Sequence, residues 1–401
     1  MDPMYPTPGP VDPRAPWAPP AAPYWQPPTA PMPPAPAVPA AWAAPGPYPP
    51  PGQPAYPYPV PPPAQPAQGV PVLRFRDLFR GTFKRHSRDE LDELMSSKPA
   101  GPGQWRLPWL YARVFLVLLV AFGLFAVSTI IWPDEALYVV PQTFFIGAMA
   151  IPVMLMVFFW EADQSRGLGL LDIVRFFFIG GAVSMVLGFP IRMLTGPVTG
   201  QWEIGGIPDS IFTGVTEEFT KAVAVILLAW KLRGVQVSKG LAIGMAVGAG
   251  FEAFEAMGYA GMTWVDDVTY WFFDGKTAFD LGGGGYWLWE VVTRGVTGFG
   301  GHTVWAAITG AALMMAQRPG AERIRLATMN WGKFLAWWCV PVLLHAVWDF
   351  FAFNIESDLG GYAYEAVMIA AAWVILARFV NVGFRQHAAL LAPRPGGFPY
   401  A

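Results

Sequence analysis

The chain has 401 residues, of which 54% are hydrophobic and only 13% charged, and its formal net charge is −2. A charged fraction about half the roughly 25% of soluble domains excludes an ordinary soluble globule and points to a membrane protein, while the near-neutral balance gives no case for a nucleic-acid partner. The single cysteine, Cys339, excludes both an intrachain disulfide and a Cys-based metal site. Lying in an apolar run, it reads as a small hydrophobe.

Residues 1–71 hold 29 of the 43 prolines, and their only charges are Asp2, Asp12 and Arg14. Such a segment cannot bury enough apolar surface to fold, so it reads as a disordered, polyproline-like cytoplasmic tail. Its alternative use is to dock a Pro-binding partner. The first residues have neither a basic start nor an apolar stretch, so no signal peptide is expected. Residues 72–107 read as a basic amphipathic juxtamembrane segment. There Leu73, Phe75, Leu78, Phe79 and Phe83 alternate with Arg74, Arg76, Arg80, Lys84 and Arg85. This spacing predicts a helix lying on the anionic inner leaflet. Ser87 followed by Glu90 predicts a capping box opening a short helix, Arg88–Met95.

Eight apolar stretches follow, at about 111–132, 139–160, 171–193, 210–230, 240–262, 291–316, 333–353 and 362–381. Each is near the ~20 residues that cross a bilayer as a helix. The expected fold is therefore all-α: a polytopic transmembrane helical bundle of eight spans over residues 108–383, followed by a short tail, 384–401. Loop charge alternates along it. Asp134 and Glu135, then Asp266, Asp267, Asp274 and Asp280, then Glu356 and Asp358 mark one side. Arg166, then Lys231, Arg233 and Lys239, then Arg318, Arg323, Arg325 and Lys333 mark the other. The positive-inside rule then puts both termini in the cytoplasm of a cell with a plasma or inner membrane. Trp132, Trp160, Trp230, Trp264, Trp287 and Trp331 sit at span ends, as interfacial aromatics do.

Four of these spans carry charge. Glu217, Glu218 and Lys221 interrupt the fourth, Glu255 the fifth, His302 the sixth, and His345 with Asp349 the seventh. A carboxylate in hydrocarbon costs roughly 3 kcal/mol on insertion scales, so intramembrane ionisable groups mark function by default. Counting helix rise from the span ends puts all seven about 7–16 Å below the outer surface of a ~30 Å core. Lys221 is i, i+4 from Glu217 and i, i+3 from Glu218, and can compensate either carboxylate. His345 and Asp349 are i, i+4, so the carboxylate can orient the imidazole or share a ligand with it. Gly298, Gly300 and Gly301 allow close helix approach or a local break before His302.

Glu217-Glu218-Phe219-Thr220-Lys221 resembles the EExxK motif of PrsW-type intramembrane proteases. Phe251 to Glu255, followed by Tyr259, resembles that family's FxxxE segment. The stretches beginning at His302 and running from His345 to Asp349 resemble its two later His motifs, the second being HxxxD. Order and span placement agree over about residues 110–380. The family is similar to CAAX prenyl endopeptidases and their bacterial relatives. The resemblance implies an endopeptidase acting on membrane-anchored proteins, anti-sigma factors among them, on the extracytoplasmic side. Ala256 stands where many members have Asn, so no amide role carries over to that position.

Peptide hydrolysis needs an activated water and a stabilised oxyanion. Glu217 or Glu218 reads as the general base, set against Lys221. His345, oriented by Asp349, would position the water or act as acid, and His302 would serve the oxyanion or complete the site. Alternatively, Glu255, His302, His345 and Asp349 offer a donor set for one zinc ion, and a metal-free mechanism stands equally beside it. Each cluster also has a structural reading, as an interhelical polar clamp or a satisfied buried pair. Glu252 reads as a second acid or as a group facing the same cavity. Glu290 with Arg294 reads as a structural i, i+4 pair, Arg175 and Arg192 as snorkelling cations, and Phe176–Phe178 as lipid-facing. An ion- or proton-coupled transporter is the alternative function. It would favour paired internal repeats, and the first three spans hold no second copy of the Glu-Glu or His motifs.

Overall fold

The computed structural model describes residues 79–96, 108–132, 135–163, 167–274, 285–355 and 357–391. The expected Pro-rich tail, 1–71, lies outside them. Among the described residues every regular element is a helix. Serine and glutamate close the capping box at Ser87 and open α1, Arg88–Met95, as its spacing predicts. The part of the expected amphipathic helix that is described, from Phe79 to Lys84, forms turns instead. Its backbone is held by Arg113, whose guanidinium donates to Thr82 O at 2.7 Å and also to Lys84 O.

Helices α2 (Leu110–Ile131) and α3 (Ala136–Ala162) form an antiparallel hairpin. The exposed first-turn amides of α2 end on a buried carboxylate. Glu161 accepts from the amides of Trp109, Leu110 and Tyr111 at 2.8–3.0 Å. A carboxylate there suits both the unpaired donors and the positive end of the helix dipole. The outer face of α2 exposes Val117, Val120, Leu124 and Val127, and such a face needs lipid rather than protein to cover it.

Helix α4 (Leu170–Thr199) contains a π-helical turn, Phe176–Gly180. The extra residue in that turn rotates the aromatic run. Phe176 and Phe177 point inward and only Phe178 faces out, which corrects the lipid-facing reading of all three. Arg192 does not simply snorkel, since its guanidinium donates to Thr213 Oγ1 of the next helix at 3.1 Å. That helix, α5 (Ile207–Ala229), starts with Pro in its first turn and exposes Ile211, Val215 and Phe219, while Gly214, Glu218 and Lys221 are buried.

Helix α6 runs from Val237 to Asp274, beyond the end expected near 262. Asp267, which reads as a loop residue, is buried, and its carboxylate accepts from the Trp287 amide at the start of α7, Gly285–Thr297. The expected span 291–316 is not one helix. It breaks at Gly298–Gly301 into α7 and α8, His302–Met315. The broken backbone is satisfied by α10 (Asp358–Leu391), whose Trp373 indole donates to Phe299 O at 2.8 Å. Helix α9, Trp331–Asn354, starts at Asn330, whose side chain caps it by accepting from the Lys333 amide at 2.9 Å.

Among the described residues six helices are long and apolar enough to cross a membrane: α2, α3, α4, α6, α9 and α10. The protein is thus a multi-pass membrane protein. Of the other two expected spans, α5 has 23 residues but carries the site's charges, and α7 and α8 have 13 and 14.

Helix α8 is the centre of the bundle, buried from His302 to Met314 and surrounded by α5, α6, α9 and α10. It reaches α6 along a seam of small residues. Gly240, Gly244 and Gly248, one per turn, lie directly on Gly310, Ala306 and the backbone of His302. No side chain fits there, because a Cβ on any of the three would strike a backbone carbonyl. Gly244→Leu is expected to lower stability by about 1–3 kcal/mol or more through overpacking. Gly258→Ala, on a face of α6 with nothing within 4 Å, should be neutral. Thermal unfolding of the detergent-solubilised chain compares the two, and an unchanged midpoint for Gly244→Leu would contradict the seam.

Candidate active site

The α6–α8 seam ends at His302, and the residues singled out on four spans converge there. Gly214 lets α5 approach α9, since a Cβ on it would stand 3.0 Å from Val342 O. That closeness brings Glu218 to His345, whose Nδ1 lies 3.2 Å from Glu218 Oε1. Lys221, one turn on, donates to the same Oε1 at 2.7 Å. Its Nζ also lies 2.7 Å from His302 Nδ1, and 4.1 Å from the centre of the Phe251 ring. His302 Nε2 in turn lies 2.9 Å from Glu255 Oε2. On the other side His345 Nε2 faces Glu217 Oε2 at 3.6 Å and Asp349 Oδ2 at 3.4 Å. The seven residues expected from sequence form one connected network.

Their accessibilities differ. Side chains of Glu218 and Lys221 are fully buried, His345 is 3% exposed, Glu217 14% and Asp349 21%. Glu217 and Glu218 are neighbours on α5, so their side chains leave the helix about 100° apart. Glu218 points into the network and Glu217 toward the more open side. Glu217 Oε2 and Glu218 Oε2 are buried without hydrogen-bond partners.

Glu252 stands at the helix break that precedes His302. Its carboxylate occupies the space left by the helix break, about where side chains on Gly298 and Gly301 would stand, with a Gly301 Cβ only 2.9 Å from Glu252 Oε2. It fills the break beside the positive end of α8, which fits the helix dipole. Arg294 enters the site. It pairs with Glu290 at 2.7 Å, as i, i+4 spacing predicts, but its Nη1 also lies 3.4 Å from Glu255 Oε2. The guanidinium stacks over Tyr259 at 3.5 Å. Sequence reasoning assigns Arg294 only to Glu290, because the local pair already explains it. The tyrosine after the FxxxE segment is the signal that could have led to it.

Residues 169–377 match the model of a family described as PrsW family intramembrane metalloprotease. The chain belongs to that family. It is accordingly an intramembrane protease, with a membrane-embedded protein as substrate. All four motif segments lie within the matched range. No curated protein and no solved structure matches the chain.

The residues present fit a metal in part, because His302 Nδ1, the nitrogen not held by Glu255, faces Lys221 Nζ at 2.7 Å. Glu217, His302 and His345 each offer a donor atom, all within 4.8 Å of one another. Two imidazoles and a carboxylate form a catalytic zinc set, and the 3.6 Å between Glu217 Oε2 and His345 Nε2 is near the ~3.4 Å edge of a tetrahedron with ~2.1 Å bonds. Glu217 Oε2 makes no hydrogen bond, as expected of a donor left for such a site, with Lys221 Nζ 3.8 Å away. Each histidine has a carboxylate behind it, Glu255 on His302 and Glu218 on His345, as metal-binding histidines usually do. Of the set expected, Glu255 lies behind His302, and Asp349 faces His345 Nε2, the same nitrogen as Glu217, at 3.4 Å.

Removing Lys221 tests the network. Lys221→Met strands the buried Glu218 charge and should destabilise by about 3–5 kcal/mol. Adding Glu218→Gln should recover a large part of that. A double variant no more stable than Lys221→Met, by thermal unfolding, would mean the pair is not coupled.

Proposed function

We propose that this protein hydrolyses a peptide bond of a membrane-anchored protein, with Glu217 and Glu218 as the water-activating pair and His302 and His345 beside them. The observation that carries it is a carboxylate oxygen of Glu217 that makes no hydrogen bond, held 3.6 Å from His345 Nε2 and 3.8 Å from Lys221 Nζ within a buried charged network. Glu218 and Lys221 hold this arrangement. Glu218 fixes His345 through Nδ1, so Nε2 faces Glu217 and Asp349. Both ring nitrogens of His302 are engaged, by Lys221 and Glu255, which makes it a rigid wall of the site. The transporter alternative draws no support from this arrangement or from the family.

Glu217, His302 and His345 would hold a zinc ion once Lys221 Nζ withdrew from His302 Nδ1, the ring nitrogen that Glu255 does not hold, and the ion would polarise the scissile carbonyl and acidify water. In that reading Glu217 is the third donor, and the free Oε2 of Glu218 is the proton acceptor. A metal-free reading is favoured by one observation: Lys221 Nζ already stands 2.7 Å from His302 Nδ1, supplying positive charge among the donors. Glu217 then takes the proton of the attacking water directly. Both readings require the pair. Glu217→Gln should lower the turnover of a membrane-anchored substrate by roughly 10² or more. Chelation followed by zinc separates them: loss and recovery of cleavage marks the metal enzyme, and unchanged cleavage the glutamate one. Full activity in Glu217→Gln, Glu218→Gln and the double variant would overturn the proposal.

The loop charges orient the chain with both termini in the cytoplasm of a plasma or inner membrane, and helix rise sets the polar layer in the outer half. Water reaches that layer from outside over the shorter path. A scissile peptide must also leave helical geometry, because a helix ties its carbonyls into its own hydrogen bonds. The substrate, of the anti-sigma-factor kind, is therefore cut near the outer end of its span, leaving an anchored stub and a shed outer part. Mass spectrometry of the new termini checks this. A cut at the cytoplasmic end would reverse the orientation or the depth.

A further inference from the structure

The connections from α5 to α6 and from α8 to α9 line a half-open cavity of about 580 Å³ at one end of the bundle. Arg233 lines it from the first connection. Arg318, Arg323 and Arg325 line it from the second, with Glu322 and Thr328. The walls are fixed by backbone. The Gly234 amide donates to Glu322 O at 2.7 Å, joining the two connections. The Arg325 amide donates to Oε1 of the buried Gln317 at 2.9 Å, and Gln317 Nε2 donates to Leu313 O at 3.2 Å.

All four arginines are exposed, and none forms an ion pair among the described residues. Lys221 and Arg294 in the same bundle are both paired. Four arginines line one pocket against one carboxylate, an excess of positive charge that a bound anion would balance. Their planar forks suit phosphate oxygens. The cavity also has a depth. Trp230 ends α5 and Trp331 begins α9, each 46% exposed, beside the two connections, where aromatics mark the headgroup level.

We propose that this cavity binds a phosphate group carried on the headgroup of an anionic lipid. Basic pockets between helices at the cytoplasmic surface bind such headgroups. Glu322 favours a lipid over bare phosphate, because its carboxylate can accept from the hydroxyls of a glycerol headgroup. The bound lipid bridges the connections that follow the helices carrying Glu217 and His302. The site is separate from the proteolytic one and does not depend on how that one works.

Native mass spectrometry of the full-length chain in detergent tests this, with phosphatidylglycerol, phosphatidylcholine and inorganic phosphate as probes. The chain should retain phosphatidylglycerol at least tenfold better than phosphatidylcholine. Arg323→Gln with Arg325→Gln should weaken that retention by about fivefold per arginine removed. Arg233→Gln, on the other connection, should give the same loss per residue, so local unfolding of the α8–α9 connection cannot mimic the result. Arg378→Gln with Arg385→Gln, exposed cations on α10, should leave retention unchanged. Millimolar inorganic phosphate should not displace the lipid. No preference for phosphatidylglycerol, an equal loss in the α10 variant, or displacement by inorganic phosphate would each overturn the proposal.

Discussion

Lys221 places an ammonium group at a point in the bundle that neither water nor lipid reaches. An uncompensated charge there would cost several kcal/mol, so the surrounding chain must supply acceptors from more than one helix. It does so from α5 with Glu218 and from α8 with His302, and the Phe251 ring of α6 covers the remaining side. Glu218 passes the constraint to α9 through His345, and His302 passes it to α6 through Glu255. One buried cation thus fixes the mutual positions of four helices. The arrangement of the site follows from satisfying it.

The network can close only because the helices come unusually near one another. Association of helices in lipid has little hydrophobic drive, and it relies on backbones that approach closely and on interhelical polar bonds. Both are present and are mutually dependent. Gly244 and Gly248 bring α8 onto α6, and Gly214 brings α5 onto α9. Without that approach His302 could not reach Glu255 and Lys221 together. The break at Gly298–Gly301 belongs to the same design, since it starts α8 at His302, at the depth of the other polar groups. Its cost in unpaired backbone is offset by Trp373, and the space it opens is filled by the Glu252 carboxylate.

Sequence made the site legible because polar residues in hydrocarbon have few explanations. Glu217, Glu218, Lys221, Glu255, His302, His345 and Asp349 stood out against apolar runs, and helix rise put them in one layer. The helical class followed from length and hydropathy. What stayed hidden depends on pairings between residues far apart in the chain. Asp266 and Asp267 suggested a loop after 262, but Asp267 is taken up by the start of α7, so α6 continues. Glu161 carries no local signal of its role, which is to accept from three amides at the start of α2, about 50 residues earlier in the chain. The π turn that buries Phe176 and Phe177 has no sequence signature. In Phe79 to Lys84 the alternation of basic and apolar residues suggested a helix, and contact with Arg113 decided otherwise.

The adjacent glutamates show how helix geometry divides chemical labour. Two carboxylates at consecutive positions leave the helix 100° apart, so although both come within 4 Å of Lys221 and His345, they are buried to different degrees. Glu218 falls on the face that α9 and α8 cover, so its charge is spent on Lys221 and His345. Glu217 falls beside it, where the wall thins and the side chain keeps 14% of its exposure. The first is tied through Oε1 to Lys221 and to the imidazole opposite, and only its Oε2 is without a hydrogen bond. The second keeps an oxygen without a hydrogen bond, aimed at the nitrogen that the first has oriented. A single glutamate at either position would lose one of these two conditions. The doublet is therefore the smallest unit on one helix that both anchors the histidine and faces it.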